Sequence, residues 1–188
     1  PVRWHLRHRI APDYLPHPAV LLVRAVSRVL PTSISANSKA TLATIPLKAG
    51  IVSPVIFDCV VLPAEIPQHD SPGLVFGIVG RISPWKGQDV FLRAFALGFA
   101  GTTARARIVG SPLFGEDAFE ATLHMLVEEL GIGEQVEFRG FREDVFAEMR
   151  ALDIAVHASV VPEPFGQVVL EAMAVGTPII ASSAGGPA

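Results

Sequence analysis

Short apolar runs alternate with longer amphipathic stretches over residues 74–181, and this alternation restricts the fold more than any other feature of the sequence. The apolar runs have the composition of strands buried on both faces of a sheet, and the stretches between them are long enough to be helices. Parallel strands need such a helical crossover between them. The sequence therefore predicts an α/β fold with a doubly wound, Rossmann-like parallel sheet.

The predicted elements of this region are five strands and four helices. Strands are expected at 74–79, 104–109, 136–138, 154–157 and 178–181. Helices are expected at 88–99, 116–130, 143–152 and 167–175. Because ligands of such sheets bind beyond the carboxyl ends of the strands, the loops that lead from strands into helices are the candidate site.

The residues before this region are predicted to form a separate piece of structure. Residues 62–73 hold three prolines and a glycine among polar side chains, which is typical of a linker. Upstream we expect irregular structure at 1–18, a helix at 19–30, a strand at 32–36, a helix from Asn37 or Ser38 to Lys48, and a strand at 52–61. The predicted segments are therefore 1–61, a linker at 62–73, and a domain at 74–188.

The composition excludes several classes of protein. Half of the residues are hydrophobic, which is enough for a sizeable core, and 15 basic against 18 acidic residues are too balanced for a nucleic-acid binder. The single cysteine, Cys59, has no partner for an internal disulfide, which suits a reducing cytoplasm. No apolar stretch has the length of a membrane span.

Positive charge is concentrated at the beginning of the sequence. Residues 1–50 contain seven Lys or Arg and one acid, Asp13. Such a segment can favour an anionic membrane surface or an anionic substrate. The same excess of basic residues can arise by chance when a sequence contains only part of a domain and therefore only part of its surface. Both interpretations stay open. The ends at Pro1 and Ala188 lead us to expect that the sequence is a fragment of a longer chain.

The loop after the first strand of the 74–188 domain carries two cations. It reads G-R-I-S-P-W-K-G over Gly80–Gly87, which matches neither the dinucleotide-binding G-x-G-x-x-G nor the P-loop. Arg81 can hold phosphate oxygens with two parallel hydrogen bonds, and Lys86 adds a second positive charge. The two cations favour an anionic ligand, although a basic loop paired with neighbouring acids would have the same sequence.

The loop after the fourth strand carries two acids around the start of a helix. It reads P-E-P-F-G-Q over Pro162–Gln167, with Glu163 between two prolines. The helix that begins near Gly166 offers free N–H groups to an anion such as a diphosphate. Glu171 lies one turn further on, and a carboxylate in apolar surroundings needs donors such as sugar hydroxyls. The helix N-terminus and the two acids together predict a ligand with phosphate and vicinal hydroxyl groups. The alternative is that Glu171 forms a salt bridge with a nearby basic side chain.

With these loops the sequence resembles the retaining glycosyltransferases of family 4, also called glycosyl transferase group 1, which have the two-domain GT-B fold. The resemblance covers the chain from Leu74 onward and rests on three segments. They are G-R-I-S-P-W-K-G at 80–87, R-G-F-R-E-D at 139–144, and H-A-S-V-V-P-E-P-F-G-Q-V-V-L-E-A-M-A-V-G-T-P-I-I-A-S at 157–182, which contains the family's E-x7-E pair. A weaker echo is A-N-S at 36–38.

The resemblance implies the domains and the activity. Residues 74–188 would be the nucleotide-sugar donor-binding domain, truncated at its C-terminus, and residues 1–61 the C-terminal remnant of the acceptor-side domain. The enzyme would transfer a sugar, with retention, from a UDP-, GDP- or ADP-linked donor to an unknown acceptor. A non-catalytic nucleotide-sugar-binding module of the same fold is the alternative. A Rossmann oxidoreductase is disfavoured because G-x-G-x-x-G is absent.

The resemblance also implies roles for individual residues. Arg81 and Lys86 would hold the diphosphate and Glu163 the hydroxyls of the transferred sugar, so these three are the catalytic candidates. Glu163 as a covalent nucleophile stays open. Glu171 would bind the ribose hydroxyls. The remaining donor-binding candidates are Gly110, Arg139, Gly140, Phe141, Ser159, Phe165, Gly166, Gln167 and Val169.

The resemblance and the motifs together give the expected partners. The sequence lacks the D-x-D pair with which another transferase fold holds a metal, and two cations with a helix N-terminus can neutralise a diphosphate, so we expect no metal and no cofactor. The expected partners are a nucleotide-sugar donor and a carbohydrate, lipid-linked or small-molecule acceptor, without nucleic acid. We expect the protein in the cytoplasm, with peripheral contact at the inner face of the membrane left open.

Overall fold

The computed structural model describes residues 1–62 and 73–188, which form two compact units. The first unit consists of residues 1–59, 161–167 and 183–188, and the second of residues 60–160 and 168–182. The predicted linker lies almost entirely outside the described residues. The domain boundaries predicted above therefore stay a prediction.

A five-stranded parallel sheet forms the centre of the second unit. Its strands are β3 (Val75–Val79), β4 (Arg105–Val109), β5 (Val136–Gly140), β6 (Ile154–His157) and β7 (Ile179–Ala181). They are ordered β5-β4-β3-β6-β7, and every neighbouring pair is parallel. The sheet confirms the predicted α/β fold class.

Four helices connect these strands. They are α3 (Gln88–Phe99), α4 (Asp117–Glu129), α5 (Val145–Arg150) and α6 (Gln167–Ala174). Short 3-10 turns at Pro84–Lys86 and Gly133–Gln135 precede α3 and β5. Within the described residues, no helix has the length and apolar character that a membrane crossing needs.

The core of the second unit lies on both faces of the sheet. Along β3, Phe76 and Ile78 belong to the cluster packed by α3 and α4, whereas Val75 and Val79 belong to the cluster packed by α5 and α6. All five residues of β3 are buried. Burial of a large apolar side chain contributes roughly 1.5–3 kcal/mol, so a strand apolar on both faces is fixed at the centre of the sheet.

The order of the strands creates a crevice at one edge of the sheet. β3 pairs with β4 on one side and with β6 on the other. From the carboxyl end of β3 the chain runs through α3 to β4, and from that of β6 it runs through α6 to β7. β4 and β7 lie on opposite sides of the β3–β6 pair, so the two connections lead in opposite directions. This is the topological switch point at which open α/β sheets bind ligands.

The first unit contains a smaller parallel pair of strands. β1 (Arg3–Leu6) and β2 (Ser33–Ala36) are connected through α1 (His17–Val26), and the short helix α2 (Lys39–Leu42) follows β2. The side chains packed between them form the third core cluster, which is Leu6, Ile34, Ala36 and Ile45.

Two predictions for residues 1–61 are wrong. Irregular structure was expected at 1–18, but β1 forms there: its four residues alternate in exposure, as in a strand with one buried face, and pair with β2. A strand was expected at 52–61, but only isolated bridges from Val52 to Ser33 and from Val55 to Ala36 exist. Pro54 between them has no N–H for a ladder, which explains the interruption.

The second predicted helix is shorter than expected. The prediction extended it to Lys48, whereas α2 ends at Leu42. Ser38 is its N-cap, as one of the two predicted candidates, and accepts a hydrogen bond from the Thr41 N–H at 2.9 Å. Pro46 has no N–H to donate, so a continued helix would lack one of its hydrogen bonds there.

Candidate active site

Three strand-end loops of the second unit approach one another at the backbone level. Gly87 is the N-cap of α3 with φ +74°, and a Cβ added there would lie 2.1 Å from the carbonyl oxygen of Ala158, which follows β6. A Cβ on Gly110, which follows β4, would lie 2.0 Å from the carbonyl oxygen of Gly80. Only glycine fits at either position. The loops that carry the predicted donor-binding residues are thereby packed together.

Arg81 is held between an acid and two aromatic rings. Its Nε lies 3.6 Å from Glu116 Oε2, and its guanidinium carbon lies 5.6 Å from the ring centroid of Trp85 and 5.2 Å from that of Phe114. Ser83 donates to the other oxygen of Glu116 at 2.6 Å. These contacts fix the position of the Arg81 guanidinium group at the carboxyl end of the central strand.

Lys86 lies beside Arg81 on the same aromatic ring. Its Nζ is 4.6 Å from the ring centroid of Trp85 and would be 4.0 Å from a Cβ at Gly80. The backbone carbonyl of Trp85 accepts a hydrogen bond from the Val160 N–H at 3.0 Å, which ties this loop to the one after β6. Two like charges within one short loop favour a ligand with more than one negative charge.

A mostly apolar pocket of about 180 Å³ opens between the loops that follow β3, β4 and β5. Its floor includes Val79 and Val109, and its rim includes Gly110, Phe141 and Arg142. Three of the predicted donor-binding residues, Arg81, Gly110 and Phe141, therefore line one pocket. The apolar walls and the exposed Phe141 ring suit a flat heterocycle.

The side chain of Arg139 is occupied by two acids. Its Nε and Nη2 donate to the two carboxylate oxygens of Glu148 at 3.1 and 2.8 Å, and its Nη1 donates to Glu137 at 2.8 Å. The hydrogen bonds that Arg139 donates to Glu148 and then to Glu137 raise the pKa of Arg139 above its usual value. Burial disfavours ionised Glu137, but the hydrogen bond and charge of Arg139 outweigh this and lower the pKa of Glu137.

The loop after β6 and the helix α6 carry further predicted residues. Ser159 is buried two residues after the end of β6, and Val169 and Glu171 are half-buried on α6. His157, at the end of β6, is also buried, and its Nδ1 lies 3.1 Å from the hydroxyl of Ser182 on the next loop. This contact agrees with the structural role that is common for a histidine at a strand end.

The P-E-P-F-G loop belongs to the first unit. Glu163 is only 5% exposed, and its carbonyl accepts a hydrogen bond from the Gly186 N–H at 2.8 Å. Glu163 also forms a parallel bridge with Gly185. Segment 183–188 thus packs along the loop beside Glu163.

The same loop forms one wall of a polar cleft of about 370 Å³ in the first unit. The opposite side presents Asn37 and Asp58, together with Arg7 and the stacked rings of His8 and Tyr14. Asn37 Nδ2 lies 3.0 Å and Arg7 Nη2 3.1 Å from Asp58 Oδ2. Burial opposes ionisation of Asp58, but these hydrogen bonds outweigh it and lower the pKa of Asp58.

The predicted site residues are thus divided between the two units. The first unit holds Glu163, Phe165, Gly166 and Gln167, and the second holds Arg81, Lys86, Gly110, Arg139, Gly140, Phe141, Ser159, Val169 and Glu171. Glu116, Phe114 and Asp58 also lie at these sites, and no sequence motif marks them. Among the described residues, no three or more His, Cys, Asp or Glu side chains are grouped to hold a metal.

Comparison with known proteins connects this geometry to a family. The family profile "Glycosyl transferases group 1" matches residues 64–188. The D-inositol 3-phosphate glycosyltransferase of Mycobacterium sp. (strain KMS) is 40% identical over 114 residues, which cover 60% of this chain and 25% of the relative. The chain therefore spans about a quarter of the length of this curated relative.

Solved structures show the same arrangement of elements. Anabaena Alr3699/HepE, crystallised with UDP-glucose, matches with a TM-score of 0.87 at 30% identity, over 100% of this chain and 54% of that chain. The C-terminal domain of a group 1 glycosyl transferase (LpcC) from Francisella tularensis matches with a TM-score of 0.55 at 35% identity, over 61% of each chain. The likeness to these proteins confirms the predicted GT-B type of fold.

Proposed function

Because the chain belongs to the group 1 glycosyl transferases, we propose that it is part of an enzyme that transfers a sugar, with retention, from a nucleoside-diphosphate-sugar to an acceptor. One observation of the structure supports this more than any other. Arg81 and Lys86 lie over one ring, Trp85, at the carboxyl end of the central strand, where open α/β sheets bind their ligands.

The two cations supply the chemistry that a departing nucleoside diphosphate requires. Cleavage of the bond from the sugar to the diphosphate leaves negative charge on the phosphate oxygens. Arg81 and Lys86 are fixed near Glu116 and Trp85 before the ligand arrives, so little free energy is lost in ordering them. Charge stabilisation of this kind needs no bound metal, which agrees with the expected metal independence.

We propose that the base is uracil. HepE, 30% identical to this chain, was crystallised with UDP and UDP-glucose. In this chain, Gly110 and Phe141 border a pocket of about 180 Å³ that suits a single-ring base. Among the residues that the structure describes, the lining of this pocket contains no carboxylate to accept the hydrogen bonds that guanine donates.

Two carboxylates are proposed to bind hydroxyl groups of the donor. Glu171 on α6 would accept hydrogen bonds from the ribose, and Glu163 from the transferred sugar. Glu163 is 5% exposed, and a carboxylate at this depth is a strong acceptor because surrounding water does not weaken its hydrogen bonds. We propose that Glu163 binds hydroxyls and that it does not form a covalent bond with the sugar.

The acceptor is proposed to be a carbohydrate or a related polyol. The mycobacterial relative carries the name D-inositol 3-phosphate glycosyltransferase. In the first unit, the cleft beside Glu163 contains Asp58 and the stacked rings of His8 and Tyr14. Carboxylates accept from sugar hydroxyls, and aromatic rings pack on sugar rings, so this lining suits such an acceptor.

We also propose a cytoplasmic location with peripheral contact at the membrane. On α1, Leu21 and Leu22 are 69% and 65% exposed, and Arg28 is exposed just beyond the end of the helix. An exposed apolar surface beside basic side chains is typical of proteins that bind anionic lipid surfaces. Co-sedimentation with vesicles of phosphatidylglycerol, compared with phosphatidylcholine, tests this contact.

The proposed function is tested by binding and turnover measurements on the full-length protein. Calorimetry with UDP-glucose, GDP-glucose and ADP-glucose should show the tightest binding for the uridine compound, and EDTA should leave binding unchanged. Release of UDP in the presence of acceptor sugars tests transfer. Binding without turnover over a wide set of acceptors would favour a non-catalytic nucleotide-sugar-binding module, and no binding of any nucleotide would overturn the proposal.

A further inference from the structure

Two hydroxyl groups of the first unit are directed at one carbonyl group of the P-E-P-F-G loop. Ser38 and Thr41 both donate to the carbonyl oxygen of Pro164, Thr41 at 3.0 Å. Ser38 is 3% and Thr41 0% exposed. Ser38 Oγ also lies 3.1 Å from Thr41 Oγ1. Because a hydroxyl is costly to bury without a partner, the two side chains and this carbonyl form one buried hydrogen-bonded group.

A half-buried cation holds the other side of the same loop. Arg9 Nη1 donates to the carbonyl oxygen of Pro162 at 3.0 Å and to Asp13 Oδ2 at 2.8 Å, and the Arg9 side chain is 14% exposed. A charged donor makes a stronger hydrogen bond than a neutral one. Asp13 fixes the direction from which this donor approaches Pro162.

The loop depends on these external donors because it offers few of its own. Pro162 and Pro164 have no N–H group, so neither can stabilise the turn through a backbone donor. Between them lies Glu163, whose own carbonyl is held by the Gly186 N–H. Three consecutive carbonyl groups are thus fixed from outside the loop, and three of the four donors are side chains of residues 9, 38 and 41.

We infer that Arg9, Ser38 and Thr41 are positioning residues that fix the carboxylate of Glu163. With the peptide groups on both sides held, the backbone from which the Glu163 side chain extends is fixed in place. A hydroxyl-binding carboxylate must stay within about 0.5 Å of its productive place, and a misplacement of about 1 Å can lower the rate by about 100-fold. The inference rests on the proposed function for the role of Glu163 in sugar binding.

The role predicts a selective effect on the sugar part of the donor. Glu163 is proposed to contact the transferred sugar, whereas Arg81, Lys86 and Glu171 are proposed to contact the nucleotide. Loss of a positioning residue should therefore lower kcat and the affinity for UDP-glucose, and leave the affinity for UDP unchanged. A variant that is only less stable should lose affinity for UDP-glucose and for UDP to the same extent.

The sharpest variant is Thr41→Val, and Thr44→Val is its control. Valine keeps the shape of threonine and removes the hydroxyl. Thr44 lies in the same segment, accepts from the Ile10 N–H at 3.0 Å and donates to the Thr41 carbonyl at 2.7 Å, so its loss costs stability without removing a hydrogen bond to the P-E-P-F-G loop. Arg9→Met and its conservative counterpart Arg9→Lys form the second pair.

Amide hydrogen exchange tests the positioning role without any ligand. In Thr41→Val and Arg9→Met, the amides of Glu163, Phe165 and Gly166 should exchange roughly five- to tenfold faster, the fold-change expected for loss of one hydrogen bond. Thr44→Val should leave exchange in this loop as in the native protein. Unchanged exchange in both Thr41→Val and Arg9→Met would overturn the inference.

Ligand measurements then test the consequence for the donor. Thr41→Val should lower kcat with UDP-glucose by roughly tenfold and bring its affinity for UDP-glucose closer to that for UDP, while Arg9→Lys recovers part of the loss. If the native protein binds no UDP-glucose, the proposed function fails and the exchange data still decide the positioning role. If the native protein is active and Thr41→Val and Arg9→Met retain its kcat, the inference is wrong.

Discussion

The carboxylate of Glu148 accepts two hydrogen bonds from the guanidinium group of Arg139, at 3.1 and 2.8 Å. Glu148 is 7% exposed and lies on α5, whereas Arg139 lies on β5. The pair therefore joins a strand and the helix that follows it, beside the pocket proposed for the base. It gives Arg139 a structural function in addition to any contact that its backbone makes with a donor.

We predict that Glu148→Gln destabilises the protein by about 2–4 kcal/mol, because glutamine leaves the buried side of the Arg139 guanidinium without its charged partner. Urea unfolding followed by circular dichroism measures this free energy. Glu143→Gln is the matched control, since Glu143 is exposed just before α5. Equal unfolding free energies for the two variants would show that the pair contributes no stability.

A second prediction concerns the acid side of the pH range. The pKa of Glu137 is lowered in the folded protein, since the hydrogen bond and charge of Arg139 outweigh the effect of burial. The ionised carboxylate thus stabilises the fold at pH values above the usual pKa of glutamate, about 4.3, and this contribution is lost as the pH falls below that value.

We expect Glu137→Gln to reduce the difference in unfolding free energy between about pH 7 and about pH 3 relative to the native protein. Glu134→Gln, an exposed acid on the preceding turn, serves as the comparison. The same pH dependence in Glu137→Gln and the native protein would contradict a stabilising role for this carboxylate.

A third prediction uses two glycines with the same backbone conformation. Gly87 and Gly101 both have φ +74°, but a Cβ on Gly87 would lie 2.1 Å from the Ala158 carbonyl, whereas a Cβ on Gly101 would have no atom within 4 Å. Alanine at either position experiences the strain of a positive φ, about 1–2 kcal/mol. The difference between the two variants therefore isolates the contact with Ala158.

We expect Gly87→Ala to unfold at a lower urea concentration than Gly101→Ala and to bind UDP more weakly, because the loops after β3 and β6 must move apart. Gly101→Ala should retain native affinity for UDP, since Gly101 lies at the opposite end of α3. If the two variants have the same affinity and stability, close packing of the two loops is not needed for the site.

The sequence predicts the sheet of the second unit well for a physical reason. α3 at Gln88–Phe99 and β6 at Ile154–His157 have the bounds that their patterns predict, because apolar periodicity and burial agree there. The strand β1 could not be predicted, since its four residues gain their stability from pairing with β2, about thirty positions away. Val52 and Val55 show the opposite error: their β-branched segment was predicted to be a strand, but it forms isolated bridges and no continuous ladder.

The candidate site shows the same limit. Arg81 and Lys86 could be placed at the end of a strand from their loop alone. Their neighbours Phe114 and Glu116 could not, because the loop after β4 reaches Arg81 only through the pairing of β3 with β4. Contacts of this kind depend on strand order, which local patterns do not contain.

The last prediction concerns Glu171, half-buried on α6. Glu171→Gln should weaken binding of UDP by about 1–3 kcal/mol, because a neutral amide replaces a charged acceptor of ribose hydrogen bonds. Calorimetry with UDP and 2′-deoxy-UDP separates this contact from a general effect. The native protein should bind UDP more tightly than the deoxy compound, and the variant should bind both with similar affinity. Glu129→Gln, on the exposed side of α4, is the control and should retain the native preference. A Glu171→Gln protein that still discriminates the two nucleotides as the native protein does would remove Glu171 from the proposed ribose site.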